Sequence, residues 1–237
     1  MSEENTTPEE NTASEGKFDI NTVIDDAKKL ITNPKQFYTD MPTTGGYVNP
    51  MIFLLVMAAI AGLITGVLGM MGLGMGAMPG SSAFAGIIIY PIAMLIGGFI
   101  AAGVMFIIWK LLGSEKSYET AYRCIAYSTA IAPVMAVISV IPYLGGIIHT
   151  LWGSFLMYIA STQVHAIKEQ TAKVTFAILA AIGVIWGVSS ERASRNMVAH
   201  FEKFEGIEDM TPEEAGEKLG EFLKGIEKGA EKAKKED

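Results

Sequence analysis

No Asp, Glu, Lys or Arg occurs between Asp40 and Lys110. Two more uncharged runs lie between Arg123 and Lys168 and between Lys173 and Glu191. A helix on the surface of a soluble protein keeps one polar face, so a run as long as the first has no place in a water-soluble fold. It is long enough for two bilayer crossings of roughly 20 residues each. Half of the 237 residues are hydrophobic and mean hydropathy is +0.35. These constraints predict an all-α integral membrane protein, a bundle of about five transmembrane helices with amphipathic helices at both ends.

The remaining charge divides the chain. Residues 1–16 are polar and acidic and bury too little to offset the entropy of ordering, so a disordered tail is expected there. They carry neither a positive n-region nor an apolar h-region, so no cleavable signal peptide is expected, and the first apolar span would act as the membrane signal. Residues 17–49 form an amphipathic and pre-membrane segment. Ile20, Val23, Ile24, Ala27, Leu30 and Ile31 fall on one helical face, opposite Asp25, Asp26, Lys28 and Lys29. Such a helix either lies on the membrane interface or packs on a neighbouring loop. It should end near Asn33, ahead of Pro34. Phe37 and Tyr38 read as an aromatic anchor at the headgroups.

Residues 50–190 form the five-span domain. The spans run from about 50 to 71, 83 to 109, 117 to 142, 147 to 164 and 174 to 190, the fifth being the shortest. Gly62 with Gly66, and Ala93 with Gly97 and Ala101, are small-residue faces that let helices approach. Pro91 should kink the second span. Ser117 is a plausible N-cap for the third, with Glu119 in its first turn. Residues 191–237 read as an amphipathic tail. Met197, Phe201 and Phe204 share a face, and Thr211-Pro212-Glu213-Glu214 resembles a capping box. Ala215, Leu219, Phe222, Ile226 and Gly229 then form a short coiled-coil-like seam.

Lys and Arg residues flank the spans unevenly. Lys28, Lys29 and Lys35 precede the first, Lys110, Lys116 and Arg123 join the second to the third, and Lys168 and Lys173 join the fourth to the fifth. The other two loops carry none. The positive-inside rule puts the N-terminus and both charged connectors in the cytoplasm. Five spans then put the C-terminal tail on the far side, although Arg192 and Arg195 count against this.

A pattern of prolines, aromatics and polar residues runs through these spans. It comprises Pro34 and Phe37 before the first, Tyr118 and Tyr122-Arg123 entering the third, Tyr127 and Pro133 within it, and Pro142 with Gly145 after it. Trp152 lies in the fourth, and His165 at its end. From about Asn33 to Ser190 this resembles the YIP family, the Ypt/Rab-interacting membrane proteins and their bacterial and archaeal relatives. The resemblance implies a five-span fold with a cytoplasmic N-terminus and, for eukaryotic members, work in vesicle trafficking and membrane shaping with small GTPases. The Met- and Gly-rich spans resemble the prokaryotic branch, in the cytoplasmic membrane of a cell.

The candidate partner, ligand or anchor cluster is Tyr118, Glu119, Tyr122, Arg123, Tyr127 and His165. Glu119 and Arg123 are spaced for an intrahelical pair. Arg123 lies about two turns into its helix, and either snorkels outward or points into the bundle. A polar group of Arg123, Tyr122 and His165 is compatible with that spacing. His149 has no acid near it and reads as a satisfied polar group. Met70, Met71, Met75 and Met78 have no His or Cys beside them to make a copper site, and read as apolar filler. Cys124 is alone, so no disulfide framework is expected.

The sequence holds no GxSxG, HExxH or P-loop, so no catalytic residue, metal or cofactor is assigned. No concentrated basic stripe suggests nucleic acid. Two functions remain. One is a non-enzymatic scaffold, adaptor or membrane-shaping protein, in contact with the lipid bilayer. It would meet a protein partner at the cytoplasmic connectors, or form a homo-oligomer through small-residue faces or the C-terminal helix. The other is a channel or carrier for a lipid or small neutral solute. A closed bundle is expected of the first, and a cavity reaching the midplane of the second.

Overall fold

The computed structural model describes residues 19–73 and 81–202, with four further helical positions between 216 and 224. The expected acidic tail, Met75 and Met78, and the capping box and coiled-coil seam lie outside the described residues. So do the side chains of Met197, Phe201 and Phe204. Among the described residues the regular structure is helical throughout, and five helices are long and apolar enough to cross a membrane.

Helix α1 (Ile20–Thr32) is capped by the Asp19 side chain, which accepts from the Asn21 amide. It buries Val23, Ala27 and Leu30, and packs against α2 and the middle of the third span. Its buried face thus meets helical elements and not a neighbouring loop. Asn33 ends α1 and caps α2 (Pro34–Asp40), whose first residue is a proline that gives up only an amide with no helical partner. Phe37 and Tyr38 are buried in the core. They are therefore not headgroup anchors: a proline-started turn of helix aims them inward.

Helix α3 (Val48–Met70) packs along α4 (Ser81–Leu111), which runs through Pro91 as one element. Gly62 and Gly66 are buried. Ala93, Gly97 and Ala101 are all exposed, and a Cβ at Gly97 would meet nothing. The close contact falls on Gly98 instead, where a Cβ would lie 2.8 Å from Leu54 Cδ1.

The third span is not one helix. It is α5 (Tyr118–Ser128), a 3-10 turn at Thr129–Ile131, and α6 (Ala132–Ile138). Pro133 has no amide to continue the ladder. Just before it, the Ser128 and Thr129 hydroxyls donate to the Ile125 and Ala126 carbonyls. Helix α7 (Leu144–Gln163) begins three residues earlier than expected, at a turn where Tyr143 has φ of 63°.

Helix α8 (Glu169–Glu202) is the longest element at 34 residues, not the shortest span. Two of the charges expected to end it, Glu191 and Arg195, are paired along it. Arg195 lies 2.7 Å from Glu191, which also accepts the Tyr143 amide at 2.9 Å. A carboxylate satisfied in this way does not force the helix to stop.

At Gly145 a Cβ would fall 2.7 Å from the Ser139 Cα, a backbone atom that cannot move aside locally. Gly145→Ala should lower stability by about 1–3 kcal/mol, the range for overpacking. Gly97→Ala should be neutral or slightly stabilising. Thermal unfolding in detergent measures both, and equal melting temperatures would disprove the close approach at Gly145.

Candidate functional site

Helix α5 presents its candidate residues on three sides. On the first, Arg123 is only 3% exposed and points inward. Its Nε donates to Glu119 Oε1 at 3.2 Å, Nη1 to the Pro42 carbonyl at 3.3 Å, and Nη2 to the Gly46 carbonyl at 2.7 Å. The same Glu119 oxygen accepts the Gly46 amide at 2.7 Å. Thr120 Oγ1 donates to the Thr43 carbonyl at 3.0 Å. The loop before α3 is thus wrapped around one guanidinium. Gly45 and Gly46 make the wrap feasible, with φ of 112° and 80°, and a Cβ on Gly45 would lie 3.1 Å from Arg123 Nη2. The Gly45-Gly46 pair was the overlooked signal in the sequence.

On the second side, Tyr122 stacks on Phe99 with centroids 4.3 Å apart, and Tyr47 meets Tyr122 edge-on at 5.5 Å. Tyr118 donates its hydroxyl to the Phe99 carbonyl at 2.8 Å. Phe99 lies well before the end of α4, so the connector of residues 112–117 turns back along that helix. The Tyr122 hydroxyl is buried with no partner among the described residues.

On the third side, Tyr127 packs between Phe37 and Phe53, with centroids 5.2 and 4.9 Å away. Tyr38 reaches past it to donate to the Cys124 carbonyl at 3.2 Å. Burial holds the Tyr38 phenol well above the usual tyrosine range.

His165 joins neither Arg123 nor Tyr122. Its ring stacks on Trp109 at 3.8 Å, its Nδ1 meets Ser114 Oγ at 2.7 Å, and its Nε2 faces Cys124 Sγ at 3.9 Å. Ser114 Oγ also accepts the Lys116 amide. Trp109 donates to Ser161 Oγ at 2.7 Å. Thus the anticipated Arg123, Tyr122 and His165 group is divided: His165 meets Cys124, which lies about 100° around α5 from Arg123.

A lateral cleft was not anticipated in detail. Helix α4 packs on α3 and α5 but makes no extensive contact with α7 or α8. Between them lies a cavity of about 720 Å³. It runs from Met105, Ile125 and Phe176 to Tyr90, Ser139 and His149. No charged residue lines it among the described residues. The Ser128, Thr129 and Ser139 hydroxyls on its wall donate to carbonyls of their own helix turn. His149 is exposed, lines the cleft, and takes no part in the hydrogen bonds among the described residues.

These features define a helical, multi-span membrane protein with a broken central helix and a polar clamp. A family model for the Yip1 domain matches residues 28–190, well over half of the chain, and the chain belongs to that family. The match begins inside α1 and takes in the end of that helix, from Lys28 to Thr32. No curated protein and no solved structure gives a match.

Removing Arg123 leaves the Pro42 and Gly46 carbonyls without their donor. Arg123→Ala should cost about 3 kcal/mol, as for other broken buried ion pairs. Arg123→Lys should recover only part of it, because lysine has no planar fork. Thermal unfolding measures the loss, and protease cleavage at residues 41–47 should accelerate. Unchanged resistance of that loop in Arg123→Ala would contradict the clamp.

Burial first, then Lys116 and Lys110, push His165 down to about 3. An unfolded histidine titrates near about 6.5. Between those values the unfolded chain binds a proton that the folded chain refuses. This residue therefore lowers stability as pH falls from about 6.5 towards 3, by at most about 1.4 kcal/mol per pH unit. His165→Phe keeps a ring on Trp109 and should flatten that acid dependence. Parallel pH profiles of the two proteins' unfolding would refute a neutral, buried imidazole.

Proposed function

We propose that this protein is a non-enzymatic membrane protein that accommodates a lipid chain or another neutral apolar guest in its lateral cleft, as a carrier would. The observation that carries this reading is the cleft itself. Its volume lies within the range of about 300–1,000 Å³ typical of small-molecule sites. Its walls come from all five spans, with a gap between α4 and the α7–α8 pair through which a lipid chain would enter. A lining without charge favours neutral cargo over ion-coupled transport, which calls for an intramembrane ionisable group. The non-enzymatic reading is supported by the Ser114, Cys124 and His165 group. Its members are at most 5% exposed and line neither of the two cavities described.

A second reading, as a scaffold, adaptor or membrane-shaping protein, is favoured by the α1–α2 platform that packs on the bundle. The exposed Ala93, Gly97 and Ala101 face suits a homo-oligomer, and the connectors suit a protein partner. The lysine and arginine pattern supports a cell-membrane location with a cytoplasmic N-terminus.

The test is reconstitution of the purified chain in liposomes holding a fluorescent phospholipid. Lipid exchange between leaflets, and lipid retained through purification, should both be detected. Gly97→Phe and Gly153→Phe place bulk in the cleft where a Cβ meets nothing. Each should reduce both signals by about fivefold, as for a filled pocket, without lowering the melting temperature. No lipid movement and no retained lipid in the unaltered protein would count against the carrier and leave the scaffold.

A further inference from the structure

A second cavity, of about 360 Å³, lies between α1, α2 and the third span, and shares no lining residue with the lateral cleft. Its base is Tyr127, Phe37, Met41 and Pro42, and its rim is polar. Tyr127 is 8% exposed and lines this cavity, yet its hydroxyl has no hydrogen-bond partner among the described residues. On the rim, Asp26 is half-buried and makes no ion pair or hydrogen bond among the described residues. Burial, partly opposed by Lys29, raises its carboxyl above the usual range. Asp40 accepts the Gln36 amide at 2.8 and 2.9 Å. The rim therefore carries two carboxylates against the single ammonium of Lys29. Arg123, one turn away, is committed to Glu119 and the loop carbonyls.

We propose that this cavity binds a primary ammonium on an apolar stem, the chemistry shared by a free alkylamine and a lysine side chain of a partner. Asp26 supplies the counter-charge, the Tyr127 hydroxyl accepts a hydrogen bond from the ammonium, and the Phe37 and Tyr127 rings contact the stem. Aromatic faces near a carboxylate suit such a cation twice over, because the ring quadrupole attracts it and the carboxylate neutralises it. A carboxylate ligand is disfavoured by Asp26 and Asp40. An uncharged apolar ligand would leave Asp26 desolvated and unpaired.

The experiment uses the full chain in lipid nanodiscs and titrates three probes by calorimetry at low salt. These are cadaverine, a blocked Gly-Lys-Gly peptide, and the same peptide with norleucine in place of lysine. Saturable binding of cadaverine or of the lysine peptide supports the site, and whichever binds more tightly identifies the source of the amine. Asp26→Asn should weaken that binding about tenfold and Tyr127→Phe about threefold, as for loss of a charged and of a neutral partner. Asp40→Asn, on the exposed rim, provides a second charge variant should Asp26→Asn melt early. The proposal is overturned if neither amine saturates, if the norleucine peptide binds as tightly, or if neither Asp→Asn change alters the affinity.

Discussion

A buried guanidinium has to be paid for, and here Arg123 is almost wholly removed from solvent. Its charge is met by Glu119 one turn earlier, and its remaining donors by two carbonyls of the loop before the first span. An unpaired cation in that place would cost several kcal/mol. The loop, the start of α3 and the start of α5 must therefore assemble together. With that loop fixed, α2 is set beside α7 and α1 over the middle of the third span. The small cavity beneath α1 and α2 exists because of this arrangement.

The broken third span has the second large effect. A continuous helix would offer one uninterrupted face to its neighbours. Pro133 and the 3-10 turn ahead of it separate α5 from α6. Helix α5 packs against α3, α4 and α7, while α6 packs against α3 and α7. Helix α4 is left without a partner on the side of Gly97, and the lateral cleft is the space that results. Small residues that might have joined two helices instead widen an opening. The two cavities share no lining residue.

Much of the candidate site was visible as residue types and spacing. The pairing of Glu119 with Arg123 follows from an i, i+4 separation, and the Ser117 cap from its place ahead of an acidic first turn. What Arg123 does beyond that pair was not visible, because its other partners are main-chain carbonyls some 80 residues earlier. Backbone groups leave no residue-type signal; only Gly45-Gly46 hinted at a close approach. His165 was assigned to the wrong neighbours for a related reason. Its partners Ser114 and Trp109 lie across a turned-back connector whose path the sequence does not state.

The sequence by itself determined the class of the protein. Long uncharged runs can be hidden only in lipid, and helices satisfy their own backbone there. Local signals also set three helix starts, through Asp19, Asn33 with Pro34, and Ser117. Tertiary structure decided how far α8 runs, because Glu191 is satisfied by Arg195 and by the Tyr143 amide. It decided which glycines are contacts, since Gly97 and Gly98 are equivalent in sequence and only one meets Leu54. It also decided that α5 turns Arg123 inward, because a charge can be buried only where distant chain segments bring its partners to it.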